Sequence, residues 1–190
     1  HGWFGEDGQL QALFESWDVP FTGSESSAAR LAFSKSAAKE RFSACGVPTP
    51  EYVLIHESDS PAQLQRAADQ IGYPLVVKPD ASGSSLGVSI VATSGELTEA
   101  CAACFVEGPF GLMERMIVGS EWTLGMIDQQ QLPLICIDAA RAFYDYTAKY
   151  DDDATGYRFE ADLPMSTLKR VAAAASGAAA AVGTCGIARV

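Results

Sequence analysis

Between Tyr52 and Phe105 the hydrophobic pattern switches period several times, and this alternation restricts the chain to mixed helix-and-strand folds more than any other feature. Runs rich in β-branched and aliphatic residues, Tyr52 to Ile55, Leu75 to Lys78 and Val88 to Val91, read as strands. Helical patterns near Pro61 to Gln70 and Glu96 to Phe105 separate them. The unit is therefore α+β or α/β. Further along, Gly111 to Ile117 and Glu121 to Ile127 read as strands paired around a Val118-Gly119-Ser120 turn, with Leu132 to Ile137 as a third. Ser166 to Val182 is alanine-rich and predicts a helix despite Gly177.

Before this unit, Leu10, Leu13, Phe14 and Trp17 recur at the spacing that lays one apolar stripe along a helix. The segment Val19 to Ser24 reads as extended, and a single helix is expected from about Ser26 to Ala44, ending at Gly46 ahead of Pro48 and Pro50. A first lobe stops there. Three parts result: residues 1–46, 47–117 and 118–190.

The net charge of −11 and the pI near 4.5 argue against a nucleic-acid binder, which needs a basic face to displace counterions. Small anions remain open, because a few converging lysines suffice to hold one. The five cysteines are odd in number and scattered, which suits a reducing compartment and not a disulfide framework. Cys101 and Cys104 lie one turn apart on an expected helix with no second pair to complete a zinc set, so they read as small buried residues. No apolar run is long enough, at about 18 residues, to span a membrane. The chain opens at His1 and closes at Val190 inside an apolar run, which reads as a piece of a longer protein.

Several clusters carry chemistry. Phe143 to Tyr150 packs three tyrosines, Asp145 and Lys149 into a polar stretch, 139–157, that is long for a mere connection and reads as a lid or binding loop. Val77-Lys78-Pro79 ends an apolar strand in a lysine, which is costly to bury unless an anion meets it. The turn that follows, Ser82-Gly83-Ser84-Ser85-Leu86-Gly87, can curl its backbone N–H groups around an anion, although the same composition also serves a plain hairpin. No Gly-Lys-Ser/Thr follows, so it is not a P-loop. Glu114-Arg115-Met116-Ile117 has the alternation of an exposed strand. Its backbone could equally meet an adenine edge while Glu121 accepts from ribose hydroxyls. His1 and Glu6 flank a glycine-rich turn, where Glu6 and Asp7 also suit the start of a helix. Arg189 reads either as a surface ion-pair partner or as a group able to stabilise an oxyanion.

Taken in order, His1-Gly-x-x-Gly-Glu-Asp-Gly8, Pro20-Phe-Thr-Gly23, Lys35, Val77-Lys-Pro79, Gly83-Ser-Ser-Leu-Gly87, Glu114, Glu121, Phe143-Tyr-Asp-Tyr-x-Ala-Lys-Tyr150 and Arg189 resemble the D-alanine–D-alanine ligase family of ATP-grasp enzymes. The resemblance covers nearly the whole chain, and the aromatic lid is its most specific piece. It implies an α+β ATP-grasp fold: the end of an N-terminal substrate domain, a central lobe and the start of a C-terminal lobe. ATP would be gripped by Lys35, Lys78 and the Ser82 to Gly87 loop, including Ser84 and Ser85. Adenine would lie along Glu114, Arg115, Met116 and Ile117, with ribose on Glu121. Lys149 would act near the transferred phosphoryl group, Tyr150 would join Ser84 in a hydrogen-bonded set, Arg189 would stabilise the tetrahedral oxyanion, and His1 and Glu6 would lie on the substrate side.

The implied reaction joins two D-alanines through an acyl phosphate, for peptidoglycan precursors, in the cytoplasm. D-alanine and ATP are the implied partners, with neither nucleic acid nor membrane, and a homodimer is compatible with it. Magnesium is implied too, with its ligands expected after Val190 and none within this sequence. Two departures stand out: Ser82 where the family usually has glutamate, and Ser34 where it has aspartate. The alternatives are another ATP-grasp carboxylate–amine ligase with a changed substrate, or a noncatalytic nucleotide-binding relative.

Overall fold

A computed structural model describes residues 3–138, 156–159 and 163–190. Helix α1, Gln9–Ser16, starts where Gly8 turns left-handed (φ 85°) and Asp7 accepts from the Gln9 N–H. A Cβ on Gly8 would lie 2.4 Å from the Ser26 carbonyl, so only glycine lets α1 approach α2 this closely. The expected apolar stripe is half-realised. Leu10, Leu13 and Phe14 are partly buried and Phe14 meets Phe21 at 5.7 Å, but Trp17 stays 64% exposed.

The single helix expected from Ser26 to Ala44 is in fact two, α2 (Ser26–Phe33) and α3 (Lys35–Ala44). Ser34 breaks it by taking an extended conformation (φ −82°, ψ 113°). Its hydroxyl donates to Asp80 Oδ2 (2.9 Å) and accepts from the Ala37 N–H, while Ser36 N–H donates to Asp80 Oδ1 (2.7 Å). Asp80 thus caps α3 from across the molecule, satisfying N–H groups that a continuous helix would have paired internally.

The first sheet contains β1 (Tyr52–His56), β2 (Leu75–Pro79), β3 (Ser89–Val91) and β4 (Phe110–Arg115) in the order β1-β4-β2-β3, all antiparallel. Helix α4 (Pro61–Ile71) begins with proline and a Ser60/Gln63 capping box, and α5 (Leu97–Val106) follows a short 3₁₀ turn. Both pack on one face of the sheet around Ala68, Ile71, Leu75, Val77, Cys104 and Met113. Period-two alternation then sends Val76 and Lys78 of β2 to the opposite face. The C-x-x-C thiols fall in this core, as read from the sequence.

The second sheet contains β5 (Glu121–Ile127), β6 (Gln130–Asp138), β7 (Gly156–Arg158) and β8 (Ile187–Arg189) in the order β7-β6-β5-β8. Helix α6 (Met165–Val182) covers it, with Ala179 against Leu124 and Met126. The expected pairing of β4 with β5 around Val118-Gly119-Ser120 does not occur. Both edges of β4 are taken by β1 and β2, so residues 116–120 form a connection between sheets and not a hairpin. The tight hairpin lies instead between β5 and β6, at Asp128 (φ 52°). Of the expected 139–157 loop, residues 139–155 lie outside the described residues and 156–157 belong to β7. Among the described residues no helix is long and apolar enough to cross a membrane.

Candidate functional site

The face of the first sheet opposite α4 and α5, the start of α3, the 82–85 loop, the 116–120 connection and the start of β5 enclose a cavity of about 710 Å³. Two elements far apart in sequence, α3 and β2, bring lysines to it. Lys35 is the first residue of α3, and its ammonium donates to the carbonyls of Ser82 (2.8 Å) and Asp80 (3.3 Å). Burial, and next the nearby positive charge of Lys78, hold it down to a pKa of about 8. Lys78 projects from β2 onto Glu114 Oε1 at 2.5 Å.

Glu114 departs from the exposed-strand reading: it is 9% exposed. Its other oxygen meets Lys39, also at 2.5 Å, and Lys39 in turn donates to Thr49 Oγ1 (2.6 Å). The anion that compensates Lys78 is therefore supplied by β4. Burial lowers the pKa of Lys39, while its hydrogen bond and charge interaction with Glu114 oppose the shift. A paired, hydrogen-bonded arrangement is what permits such charges to lie this deep.

The serine loop is shaped for close approach. Ser84 and Ser85 both have left-handed backbones (φ 53° and 59°), uncommon for residues other than glycine, and successive left-handed residues turn N–H groups to one side. Ser82 donates to Glu107 Oε2 at 3.3 Å, so a carboxylate from the end of α5 stands beside the start of the loop. A Cβ on Gly87 would lie 2.9 Å from both Glu107 Cγ and Pro79 Cγ, which pins the far end of the loop.

Arg115, Met116, Ile117 and Glu121 line the same cavity. Glu114 backbone is held in the ladder between Tyr52 and Val76, and Arg115 N–H donates to the Glu51 carbonyl. Backbone outside the sheets begins at Met116. The Arg115 side chain forms an exposed pair with Glu51 at 2.9 Å.

Glu6 lines a second cavity of about 450 Å³ that shares Lys35, Ser82 and Gly83 with the first. A Cβ on Gly83 would sit 3.7 Å from Glu6 Oε2, so that carboxylate faces the loop directly. Arg189 lies in β8 opposite Gly125, exposed, with Nη1 donating to Thr123 Oγ1 (3.4 Å). It lines neither cavity, though its neighbour Ala188 lines the second. His1, Lys149 and Tyr150 lie outside the described residues.

A family model described as D-ala D-ala ligase C-terminus matches residues 42–190. The chain belongs to the D-alanine–D-alanine ligase family. A D-alanine–D-alanine ligase of Syntrophotalea carbinolica is 38% identical over 191 residues, covering all of this chain and 61% of that relative. Among solved structures, the ATP-complexed D-alanine–D-alanine ligase of Bacillus anthracis aligns over the whole chain and 60% of its own, with TM-score 0.85 and 29% identity. The VanG D-Ala:D-Ser ligase of Enterococcus faecalis aligns with TM-score 0.88 and 28% identity, over the whole chain and 56% of its own. The two sheets with their helices are thus the ATP-grasp fold of D-alanine–D-alanine ligases. The chain spans about three-fifths of the length of these relatives.

Sequence reasoning missed Lys39, Asp80, Glu107 and the pocket-lining Asp138, which Arg158 clamps from β7 through Nη2 (2.9 Å) and Nε. Only Lys39 left a signal: four residues after Lys35, it shares a helix face with it.

Proposed function

We propose that this chain is the nucleotide-binding portion of a cytoplasmic ATP-dependent ligase that joins two D-alanines for peptidoglycan precursors. Residues 1–46 would end the substrate domain, 47–117 form the central lobe and 118–190 begin the C-terminal lobe. The observation that carries the reading is the convergence of Lys35, Lys78 and the left-handed Ser84-Ser85 turn on one cavity whose far wall is 116–121. A triphosphate fits the cationic end, and adenine fits the backbone beyond β4, where Met116 and Ile117 offer apolar contact and groups outside the ladder. Glu121 would accept from ribose hydroxyls, a role supported by its position in the lining of the same cavity.

The chemistry follows. One D-alanine carboxylate attacks the terminal phosphorus, the bond to ADP breaks, and an acyl phosphate forms. The amine of a second D-alanine attacks the acyl carbon, loses a proton, and phosphate leaves from the tetrahedral intermediate. Lys35 and Lys78 stabilise the charge on the phosphoryl oxygens, as does Lys149. Ser84 and Tyr150 orient the substrates, Arg189 stabilises the oxyanion, and His1 and Glu6 stand on the substrate side. Glu6 supports this by lining the cavity that meets the first at Lys35 and Gly83. Among the described residues no group of three or more His, Cys, Asp or Glu could hold a metal ion.

A second reading, D-serine as the amine-side substrate, is kept by the likeness to the D-Ala:D-Ser ligase. The test is ADP release by the full-length protein with D-alanine alone, or with D-serine, D-lactate or L-alanine added. ADP release with D-alanine alone, together with dipeptide formation, is the expected outcome. Turnover only when D-serine is added would favour the second reading, and turnover only with L-alanine would sink both.

A further inference from the structure

Lys39 lies too deep to touch a ligand in the main cavity, since its side chain is 6% exposed, yet it holds one end of a charge bridge whose other end lines that cavity. Glu114 divides its carboxylate between two cations, Oε2 to Lys39 and Oε1 to Lys78, at 2.5 Å each. Lys78 is 20% exposed at its side chain and stands on the cavity wall. Thr49 Oγ1 fixes the Lys39 ammonium from a third side at 2.6 Å, and the Tyr52 ring centroid lies 5.0 Å away. The position of Lys39 is therefore set by the protein itself.

We propose that Lys39 is a positioning residue that sets how much of the Lys78 charge is available to a polyphosphate. The inference rests on reading the cavity as a nucleotide site. With Lys39 in place, two ammoniums share one carboxylate, and the bridge presents one net positive charge at its Lys78 end. Without Lys39, Glu114 belongs to Lys78 alone, and the bridge is neutral. An arriving phosphate would then have to compete with a buried carboxylate for the same ammonium, in a site where charges are weakly screened. Lys39 also occupies the Glu114 oxygen that could otherwise swing to Lys78, leaving that ammonium donors to offer a ligand.

The test is calorimetric affinity for ATP and for inorganic tripolyphosphate in wild type, Lys39→Met, Lys39→Arg and Lys39→Met/Glu114→Gln, with thermal unfolding of each. Lys39→Met is expected to weaken both ligands on the order of tenfold, the scale of one charge roughly 10–12 Å from the phosphate at an effective dielectric constant near 20. Lys39→Arg should stay within about threefold of wild type, and adding Glu114→Gln should recover most of the loss, because it returns one net charge to Lys78. That recovery separates the role from mere structural support, since a second core substitution would otherwise deepen the defect. If Lys39→Met does not fold, the double variant decides: binding near wild type supports the inference, and a loss beyond tenfold overturns it. Equal affinity in wild type and folded Lys39→Met also overturns it, while leaving the nucleotide reading intact. A wild-type protein that binds neither ligand overturns both.

Discussion

Raising the pH from 7 to 9 should weaken polyphosphate binding about tenfold through one side chain, Lys35. In the ligand-free protein burial, and then Lys78, hold this ammonium to a pKa of about 8, against an ordinary 10.5. At pH 7 it is therefore about nine-tenths charged, and at pH 9 about one-tenth. A phosphate seated on Lys35 favours the cation, so above pH 8 binding must take up a proton; affinity falls about twofold from pH 7 to 8 and roughly a further fivefold from pH 8 to 9. Calorimetry with tripolyphosphate at pH 7, 8 and 9, in buffers of unequal ionisation heat, reads both the affinity and the proton uptake. Lys35→Arg keeps its charge throughout and should flatten the profile whatever its absolute affinity. The same slope in that variant, or no proton uptake at pH 9, would refute the assignment. Stability moves in the opposite direction to binding. The folded pKa lies below the unfolded one, so between pH 8 and 10.5 the unfolded chain holds more protons and Lys35 makes the ligand-free protein steadily more stable. The penalty from burial and the Lys78 charge is present in full below pH 8 and is on the order of 3 kcal/mol.

Two further predictions concern the first sheet. Gly111→Ala places a Cβ 2.4 Å from Cys104 Sγ and 3.2 Å from the Lys78 carbonyl, and should destabilise by about 1–3 kcal/mol in urea denaturation. Cys104→Ala in the same chain should return part of it; an unchanged midpoint for Gly111→Ala would contradict the packing. Burial pushes the Cys101 and Cys104 thiols up to about 11 and about 12, whereas Cys45 and Cys185 are exposed. Alkylation of the native protein at pH 8 should label the exposed pair first and the buried pair only on unfolding. Mass spectrometry showing Cys104 modified as fast as Cys45 would refute it.

What the sequence showed and hid divides by the range of the interaction. Lys78 and the serine turn were legible because a strand ending in lysine followed by Gly/Ser is a local pattern. So was the core role of Cys101 and Cys104, which an expected helix placed one turn apart. The break at Ser34 was not, because the group that stabilises it, Asp80, lies 46 residues away. Glu114 had the alternation of a surface strand, and nothing near it announced two lysines waiting on α3 and β2. The mistaken hairpin has the same cause. Val118-Gly119-Ser120 looks like a turn whether or not the flanking strands pair, and only the prior occupation of both β4 edges by β1 and β2 excludes pairing.

Each sheet is drawn from one uninterrupted stretch of chain, Tyr52–Arg115 for the first and Glu121–Arg189 for the second. This has a consequence for the order in which the molecule can assemble during synthesis, where domains fold as they emerge. Once Arg115 has left the ribosome, β4 has both its neighbours, and Lys35, Lys78 and the Glu114 bridge can already be in place. The second sheet must wait for its last strand, since β8 pairs with β5 some sixty residues after it. A nascent chain would thus hold the cationic half of the pocket well before the wall carrying Glu121 exists, and could be met by cellular polyphosphates while still being made.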